Sequence, residues 1–299
     1  MSDQLTETDF QFIRHWMRTH VGQDLGEDKQ YLVKVAVADI QARYQLPSIS
    51  HCIRRLESLA PPSPMFNFQA ILDSGSTGGR FVQDMVDALM VGETYFFRRP
   101  STFDDLRQFV LPALIRKRQA QKRLRIWSAA CSTGQEPYSL AMTLADYFPD
   151  VFRTWDLLIV ASDISQKAID KSRAGIFSDW EVARGLDAAR RDRYFTREGA
   201  NWVARNEIKS PIRFSRCNLV SQGMNIPYRP FDLILLRNVL IYFDMQKKKE
   251  ILGTVRDHLL DDGYLLLGES ETLLGLEDHF QISDHAPALC EPKGLASFR

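Results

Sequence analysis

The sequence predicts an α/β fold in which helices cover both faces of a doubly wound, mainly parallel sheet. Over residues 123–268, apolar runs of strand length alternate with helical segments, which is the pattern of such folds. The stretch from Arg123 to Tyr138 further reads as a strand, a tight turn of small residues and a helix supported by Pro137 near its start. In an open parallel sheet, that turn presents backbone N–H groups and a positive helix end to a ligand at the carboxyl edge of the strand.

The other strands follow in order along the chain. Leu157 to Asp163 predicts a second strand that ends on an acid, the position from which a nucleotide-binding sheet hydrogen-bonds two ribose hydroxyls. Asp163 could equally cap the helix that follows, but the order strand, turn, helix, strand, acid favours the ribose role. Further strands are predicted at Ile212–Asn218, at Phe231–Asn238, after the turn Asp261–Gly263, and as an antiparallel pair within Gln281–Glu291.

The first 90 residues predict a separate helical domain. Apolar residues recur there at helical spacing, Thr6 and Thr8 are candidate N-caps, and a proline-rich step and a glycine-rich loop separate the helices. The predicted division is therefore a helical domain over residues 1–90 and a sheet domain over 91–299. A short hairpin around Gly199 predicts a small antiparallel insertion at about 192–212. A basic run from Arg116 to Arg125 is interpreted as the solvated end of a helix spanning Phe103–Gln121.

Composition excludes several classes of protein. The 299 residues carry 38 basic and 38 acidic side chains, so no overall field favours nucleic acid or an anionic membrane. The four cysteines are far apart and form no Cys-x-x-Cys pair, which supports neither a metal site nor a disulfide framework. The polar N-terminus resembles no signal peptide, and no apolar run approaches the roughly 20 residues of a membrane span. We therefore expect a cytoplasmic protein that does not insert into membranes.

The turn after the first strand indicates which cofactor the sheet binds. It lacks the Gly-x-x-x-x-Gly-Lys-Ser/Thr pattern of phosphate-binding loops, and Gly134 stands alone where a dinucleotide fingerprint needs three glycines. Glu136 places an acid within the turn, which disfavours phosphate and favours a cationic or amine-bearing ligand. S-adenosylmethionine has this character, and the sequence therefore predicts a class I (Rossmann-like) S-adenosylmethionine-dependent methyltransferase sheet.

Several motifs in order give the chain a close family resemblance. They are Thr94–Arg98 (Thr-Tyr-Phe-Phe-Arg), Cys131–Ser139 (Cys-Ser-Thr-Gly-Gln-Glu-Pro-Tyr-Ser), Ala161–Asp163, Asn218–Leu219 and Arg237–Asp244 (Arg-Asn-Val-Leu-Ile-Tyr-Phe-Asp). Together they resemble the CheR family of chemotaxis receptor glutamate methyltransferases over nearly the whole chain. The resemblance implies a cofactor site made of Thr94, Arg98, Glu136, Asp163, Asn218, Leu219, Arg237 and Asn238.

The resemblance also implies a role for each part of that site. Asp163 would bind the ribose hydroxyls, Asn218 and Leu219 would lie by the adenine, and Glu136 with Arg98 would hold the methionine end. Arg98 and Tyr242 would face the methyl-transfer centre as catalytic residues. The implied reaction methylates glutamate side chains in the cytoplasmic helical region of chemoreceptors and releases S-adenosylhomocysteine.

The chain departs from the family pattern at several positions, and a second function is an alternative to methyl transfer. Ala130 and Gly92 replace the glycine and the asparagine of relatives. The hairpin around Gly199 is shorter than the one that docks a C-terminal receptor peptide in some relatives, which argues against such a tether. The absence of an Asn/Asp-Pro-Pro-aromatic motif argues against a nucleic-acid methyltransferase. The alternative from another class is a non-catalytic module that senses S-adenosylmethionine or acts as an adaptor in a signalling complex.

Overall fold

A computed structural model describes residues 4–90, 92–221, 224, 226–273, 275–284 and 286–293. Residue 91 and residues 294–299, the two ends of the predicted sheet domain, lie outside this part of the chain. The division of the chain at about residue 91 therefore stays a prediction. Within the described part, no helix combines the length and the apolar character that crossing a bilayer requires.

The N-terminal part is helical and has its own hydrophobic core. Its helices are α1 (Glu7–His20), α2 (Gln30–Arg43), α3 (Ile49–Leu59), α4 (Phe68–Asp73) and α5 (Thr77–Leu89). The predicted cap is present at Thr6, whose side chain accepts the N–H of Asp9 while the Asp9 carboxylate accepts the N–H of Thr6. The buried faces of the five helices, including Trp16 and Phe81, form one apolar cluster.

The rest of the chain builds a seven-stranded sheet and a small three-stranded sheet. The strands are β1 (Arg123–Ala129), β2 (Asp156–Asp163), β3 (Ile176–Ser178), β4 (Phe195–Glu198), β5 (Asn201–Ala204), β6 (Ile212–Arg216), β7 (Phe231–Leu236), β8 (Leu259–Leu267), β9 (Phe280–Ser283) and β10 (Ala286–Pro292). The large sheet has the order β6-β2-β1-β7-β8-β10-β9. Its first five strands pair in parallel, and β9 and β10 pair antiparallel at one edge.

Helices cover both faces of the large sheet. The helices of this part of the chain are α6 (Pro100–Asp105), α7 (Leu111–Arg118), α8 (Gln135–Tyr147), α9 (Pro149–Thr154), α10 (Gln166–Ala174), α11 (Asp179–Ala183), α12 (Ala188–Tyr194), α13 (Asn206–Lys209) and α14 (Met245–His258). Of these, α11 and α12 contact the small sheet. Every residue of β7 is buried, and neighbours along it alternate between two apolar clusters, with Leu233 and Leu235 in one and Ile234 and Leu236 in the other. The fully covered sheet explains the continuous apolar runs of the sequence.

The structure corrects three of the predicted elements. The small insertion has three strands in the order β3-β5-β4, because β3 pairs with the predicted hairpin from before residue 192. The helix predicted over Phe103–Gln121 begins at Pro100, ends at Arg118 and is interrupted by a π-helical segment at Leu106–Val110. Pro112 follows that segment and has no N–H for regular helical bonding, which accounts for the interruption.

The third correction concerns the predicted turn at Asp261–Gly263, which lies inside β8. The pairing of β7 with β8 shifts register there, from Phe231 opposite Leu259 to Leu233 opposite Tyr264. The residues predicted to form a turn are therefore a bulge in a longer strand. Gly263 allows the close approach, since a Cβ at this position would lie 2.8 Å from the carbonyl oxygen of Asp232.

The basic run that begins in the last turn of α7 is also more than a solvated helix end. The side chain of Arg118 is only 15% exposed and forms ion pairs with Asp232 and Asp262. It thereby joins α7 to the start of β7 and to the bulge in β8, and Asp232 also accepts the backbone N–H of Arg125. Arg116 matches the prediction, because its side chain is exposed.

Candidate active site

The strand order places a crevice beside β1. From β1 the chain moves outward through β2 to β6, and it then returns to the other side of β1 with β7 and continues to β8. The strand order thus reverses between β1 and β7, and ligands of open α/β sheets bind at the carboxyl ends of the strands at such a point. The segments that follow β1, β2 and β7 all reach this edge, and each carries predicted site residues.

The turn between β1 and α8 has an unusual backbone. Ala130, Ser132 and Gly134 all have positive φ, at +57°, +49° and +97°. The turn is fixed to β2, because Cys131 donates its N–H to the Ser162 carbonyl oxygen at 2.9 Å. A Cβ on Gly134 would lie 2.9 Å from the Cβ of Ser172 in α10, so glycine permits the close packing of that helix.

Asp163 is held at the end of β2 by two backbone donors. Its carboxylate accepts the N–H of Ser132 at 2.9 Å and the N–H of Ser165 at 2.9 Å. The residue is only 9% exposed, and burial raises the pKa of its carboxyl group, which the two N–H donors oppose. Each oxygen accepts one of these bonds and has further lone pairs, so the carboxylate can still accept from two hydroxyl groups.

Glu136 and Arg237 form an ion pair across the switch point. The Arg237 Nη1 atom lies 3.0 Å from Oε2 of Glu136, and their side chains are 2% and 14% exposed. The other oxygen of Glu136 accepts the hydroxyl of Ser128, and Arg237 Nη2 donates to the carbonyl oxygen of Arg98 at 2.8 Å. The two predicted site residues therefore bind each other in the free protein, and Arg237 also anchors the Arg98 segment.

Glu271 shapes the loop after β7. Its buried carboxylate accepts the backbone N–H groups of Asn238, Val239, Leu240 and Gly268 at 2.7 to 2.8 Å. Asn238 is held here with φ at +57°, a left-handed conformation that asparagine tolerates better than most residues. Sequence reasoning did not identify Glu271, although an acid soon after the end of β8 is a signal that could have drawn attention to it.

A cavity of about 340 Å³ opens at this edge of the sheet. Seven of the nine predicted site residues line it, namely Thr94, Arg98, Glu136, Asp163, Arg237, Asn238 and Tyr242. Arg98 and Tyr242 are half-buried in its wall. The guanidinium of Arg98 donates to the Glu93 carbonyl oxygen at 2.6 Å and lies 5.6 Å from the centre of the Tyr95 ring.

A narrow apolar slot, formed in part by Ile164, Leu219 and Phe243, continues from the cavity beyond Asp163. The two spaces share Met90, Ala130, Asp163, Val239 and Tyr242 as lining residues. Asn218 and Leu219, the two predicted site residues that do not line the larger cavity, line the slot. The Asn218 side chain donates to the carbonyl oxygen of His20 at 2.8 Å, so the end of α1 helps to close the slot.

The chain is similar to known proteins in sequence. Residues 92–288 match the family model described as the CheR methyltransferase SAM-binding domain. Among similar proteins are the chemotaxis protein methyltransferase Cher2 of Pseudomonas putida and the chemotaxis protein methyltransferase 1 of Pseudomonas aeruginosa, each 34% identical over 94% of this chain and 96% of the relative. A chemotaxis protein methyltransferase of Vibrio anguillarum is 31% identical over 93% of this chain and 94% of its own length.

The fold and the site define a class I methyltransferase that uses S-adenosylmethionine. The residues present fit this cofactor: a carboxylate with free lone pairs lies between an apolar slot and a wider cavity that charged side chains line, which matches a ribose between a flat base and an amino acid. The chain belongs to the CheR methyltransferase family, as the motifs of the sequence predicted.

Proposed function

We propose that this protein transfers the methyl group of S-adenosylmethionine to glutamate side chains of chemoreceptors and forms glutamate methyl esters. The names of the relatives, chemotaxis protein methyltransferases, support a role in chemotaxis. We choose a carboxylate acceptor because the acidic side chains that line the cavity are already hydrogen-bonded within the chain.

All four carboxylates among the described lining residues are already bound by donors of the chain itself. Asp163 accepts two backbone N–H groups, and Glu136 binds Arg237 and Ser128. Asp87 accepts from the Gln83 side chain at 3.0 Å and from the Lys167 N–H at 3.2 Å. Glu93 pairs with Arg184, whose hydrogen bond lowers the pKa of the Glu93 carboxyl group.

Such a cavity suits an acceptor that needs no base. A hydroxyl or ammonium acceptor must lose a proton, and the hydrogen bonds that hold these carboxylates favour their ionised form and so make each of them a weaker base. No histidine occurs among the described residues that line the cavity. A glutamate side chain has a pKa near 4.3 and is already an anion at neutral pH.

The reaction is then mainly a matter of orientation. The cofactor supplies a methyl group on a sulfonium, and transfer forms a bond from the glutamate oxygen to the methyl carbon while the carbon–sulfur bond breaks. We assign Arg98 and Tyr242 to positioning the acceptor carboxylate, because both are half-buried in the cavity wall. Orientation of this kind can supply roughly 7 to 11 kcal/mol in favourable cases.

The proposed partner is the cytoplasmic helical region of a chemoreceptor, met directly and without a peptide tether. The candidates for this contact are basic residues of the N-terminal helices, where Arg43, Arg54 and Arg55 lie. Arg43 is engaged with Asp39 and Asp84, and the Arg55 guanidinium lies 4.7 Å from the centre of the Phe81 ring. Arg54 is exposed and stays the simplest candidate for such a contact.

The test is incubation with methyl-labelled S-adenosylmethionine and receptor-containing membranes from the host. We expect label in receptor protein that mild base releases as volatile methanol, as esters require. The Asp163→Ala variant should lose the label, whereas Glu269→Gln, at an exposed residue, should keep it. Label that resists base would show that the product is not an ester and would reject glutamate as the acceptor.

A binding measurement separates the two parts of this proposal. If S-adenosylhomocysteine binds in calorimetry but no receptor is labelled, the cofactor site is sound and ester formation on these receptors is rejected. That result would favour the sensing or adaptor role.

A further inference from the structure

Gln23 contributes an unsatisfied acceptor to the apolar slot. The residue is 6% exposed and lines the slot beside Asn218 and Leu219. Its Oε1 atom is buried and has no hydrogen-bond partner among the described residues. A buried acceptor without a partner destabilises the fold, so its place at a ligand slot calls for a partner that the ligand supplies.

The chain fixes Gln23 in this position from both sides. The carbonyl oxygen of His20 accepts the Asn218 amide at 2.8 Å, and Asp24 donates its N–H to the Tyr242 carbonyl oxygen at 3.4 Å. Gly22 has φ at +78°, and a Cβ there would lie 2.8 Å from both the Phe243 ring and Val220. The short segment after α1 is therefore packed onto the sheet domain as a wall of the slot.

The part of the cofactor that reaches this wall follows from the shape of the site. Asp163 stands where the wide cavity and the slot meet, and a carboxylate at the end of the second strand binds ribose hydroxyls. The charged amino acid end of the cofactor suits the cavity that holds Glu136 and Arg98. The flat base then enters the apolar slot, and its 6-amino group is a hydrogen-bond donor that needs an acceptor.

We propose that Oε1 of Gln23 accepts a hydrogen bond from the 6-amino group of the cofactor's adenine. Gln23 is thus a specificity-determining residue, and a residue of the N-terminal helical part reads the base bound at the sheet. The inference concerns cofactor binding alone and holds whatever the methyl acceptor is.

The experiment measures by calorimetry how tightly each of two proteins binds each of two ligands. The ligands are S-adenosylhomocysteine and its 6-desamino analogue, which has purine in place of adenine. The proteins are the natural chain and Gln23→Met, which keeps the length of the side chain and removes the acceptor. We expect Gln23→Met to weaken S-adenosylhomocysteine binding about tenfold and to leave the affinity for the analogue within about twofold.

The Tm of the ligand-free protein distinguishes this role from a structural one, because the loss of a structural contact would lower the Tm. Removing an unsatisfied acceptor should leave the Tm of free Gln23→Met equal to or above that of the natural chain. The matched control is Gln11→Met on the exposed face of α1, which should bind both ligands as the natural chain does.

Three results would overturn the proposal. The first is an equal loss of affinity for both ligands in Gln23→Met, and the second is no loss for either. The third needs no variant: the natural chain would bind the 6-desamino analogue as tightly as S-adenosylhomocysteine.

Discussion

Arg237 and Glu136 bind each other across the point where the strand order of the sheet reverses, with 3.0 Å between guanidinium and carboxylate. One residue follows β7 and the other lies in the first turn of α8, so the pair joins the two segments that frame the cavity. Both side chains are mostly buried, and removing one partner of a buried pair leaves an uncompensated charge.

We expect Arg237→Met to lower the free energy of unfolding by about 3 kcal/mol, because it leaves the Glu136 carboxylate buried without its cation. The double variant Arg237→Met/Glu136→Gln should lose less than the sum of the two single variants, by about 1 kcal/mol or more. Urea unfolding of the ligand-free proteins measures all four corners of the cycle. Additive losses would mean that the pair is not coupled.

The Glu271 carboxylate should be required for the shape of the loop after β7. Glu271→Gln replaces one acceptor oxygen by an NH₂ group that faces N–H donors, so we expect a loss of about 2 kcal/mol in unfolding free energy. Amide hydrogen exchange at residues 238–240 should become faster in this variant.

Glu269→Gln is the matched control for that change. Its carboxylate is 41% exposed and lies 3.3 Å from Arg99, and a surface pair of this kind contributes about 0 to 1 kcal/mol. Slow exchange at 238–240 in Glu271→Gln would contradict the role given to Glu271.

Tyr242→Phe should separate chemistry from cofactor binding. If the hydroxyl orients the acceptor carboxylate, its loss should lower kcat about tenfold or more while the Kd of S-adenosylhomocysteine changes by less than about twofold. Receptor methylation at saturating cofactor and calorimetric binding provide the two numbers. Equal losses in both would assign Tyr242 to the cofactor instead.

Cofactor affinity should depend on pH through Asp163. Burial raises the pKa of this carboxyl group, and the ionised form is the better acceptor for ribose hydroxyls. The cofactor therefore binds most tightly above the raised pKa, and its affinity falls as the pH drops through that pKa. The decline begins at a higher pH than for an ordinary aspartate, whose pKa is near 3.9.

Calorimetry measures the Kd of S-adenosylhomocysteine between about pH 8 and pH 5. An aspartate of ordinary pKa stays ionised over this range, so a decline in affinity indicates a raised pKa. Asp163→Asn should bind weakly and without this pH dependence. If that variant shows the same decline as the natural chain, another group is responsible for it.

The centre of the sheet could be predicted because β1, β2 and β7 contain apolar runs of strand length and each is followed by a helix. Strand β3 was not predicted, because three residues are too few to show the alternation of apolar and polar side chains that marks a strand. They form a strand only by pairing with β5. The π-helical segment before Pro112 follows from the missing N–H of that proline, a local signal that the helical prediction passed over.

The site residues on the strand ends could be predicted to lie together, because parallel strands bring their carboxyl ends to one edge of the sheet. Gln23 and Glu271 escaped prediction for a different reason. Gln23 meets the slot only because the segment after α1 packs onto the loops that follow β6 and β7. The groups that Glu271 binds are backbone N–H groups, which every sequence has. Motifs record side chains, and the one side-chain signal here is the position of Glu271, an acid soon after the end of β8.

The position of β1 between β2 and β7 has a consequence for the synthesis of the protein. On the ribosome, β1 can pair with β2 early, but its other edge stays open until residues 231–236 have been made. That open edge belongs to a strand whose last four residues are buried in the finished fold. Chains that stop before β7 therefore present an unpaired, apolar strand edge, and we expect them to aggregate or to depend on chaperones.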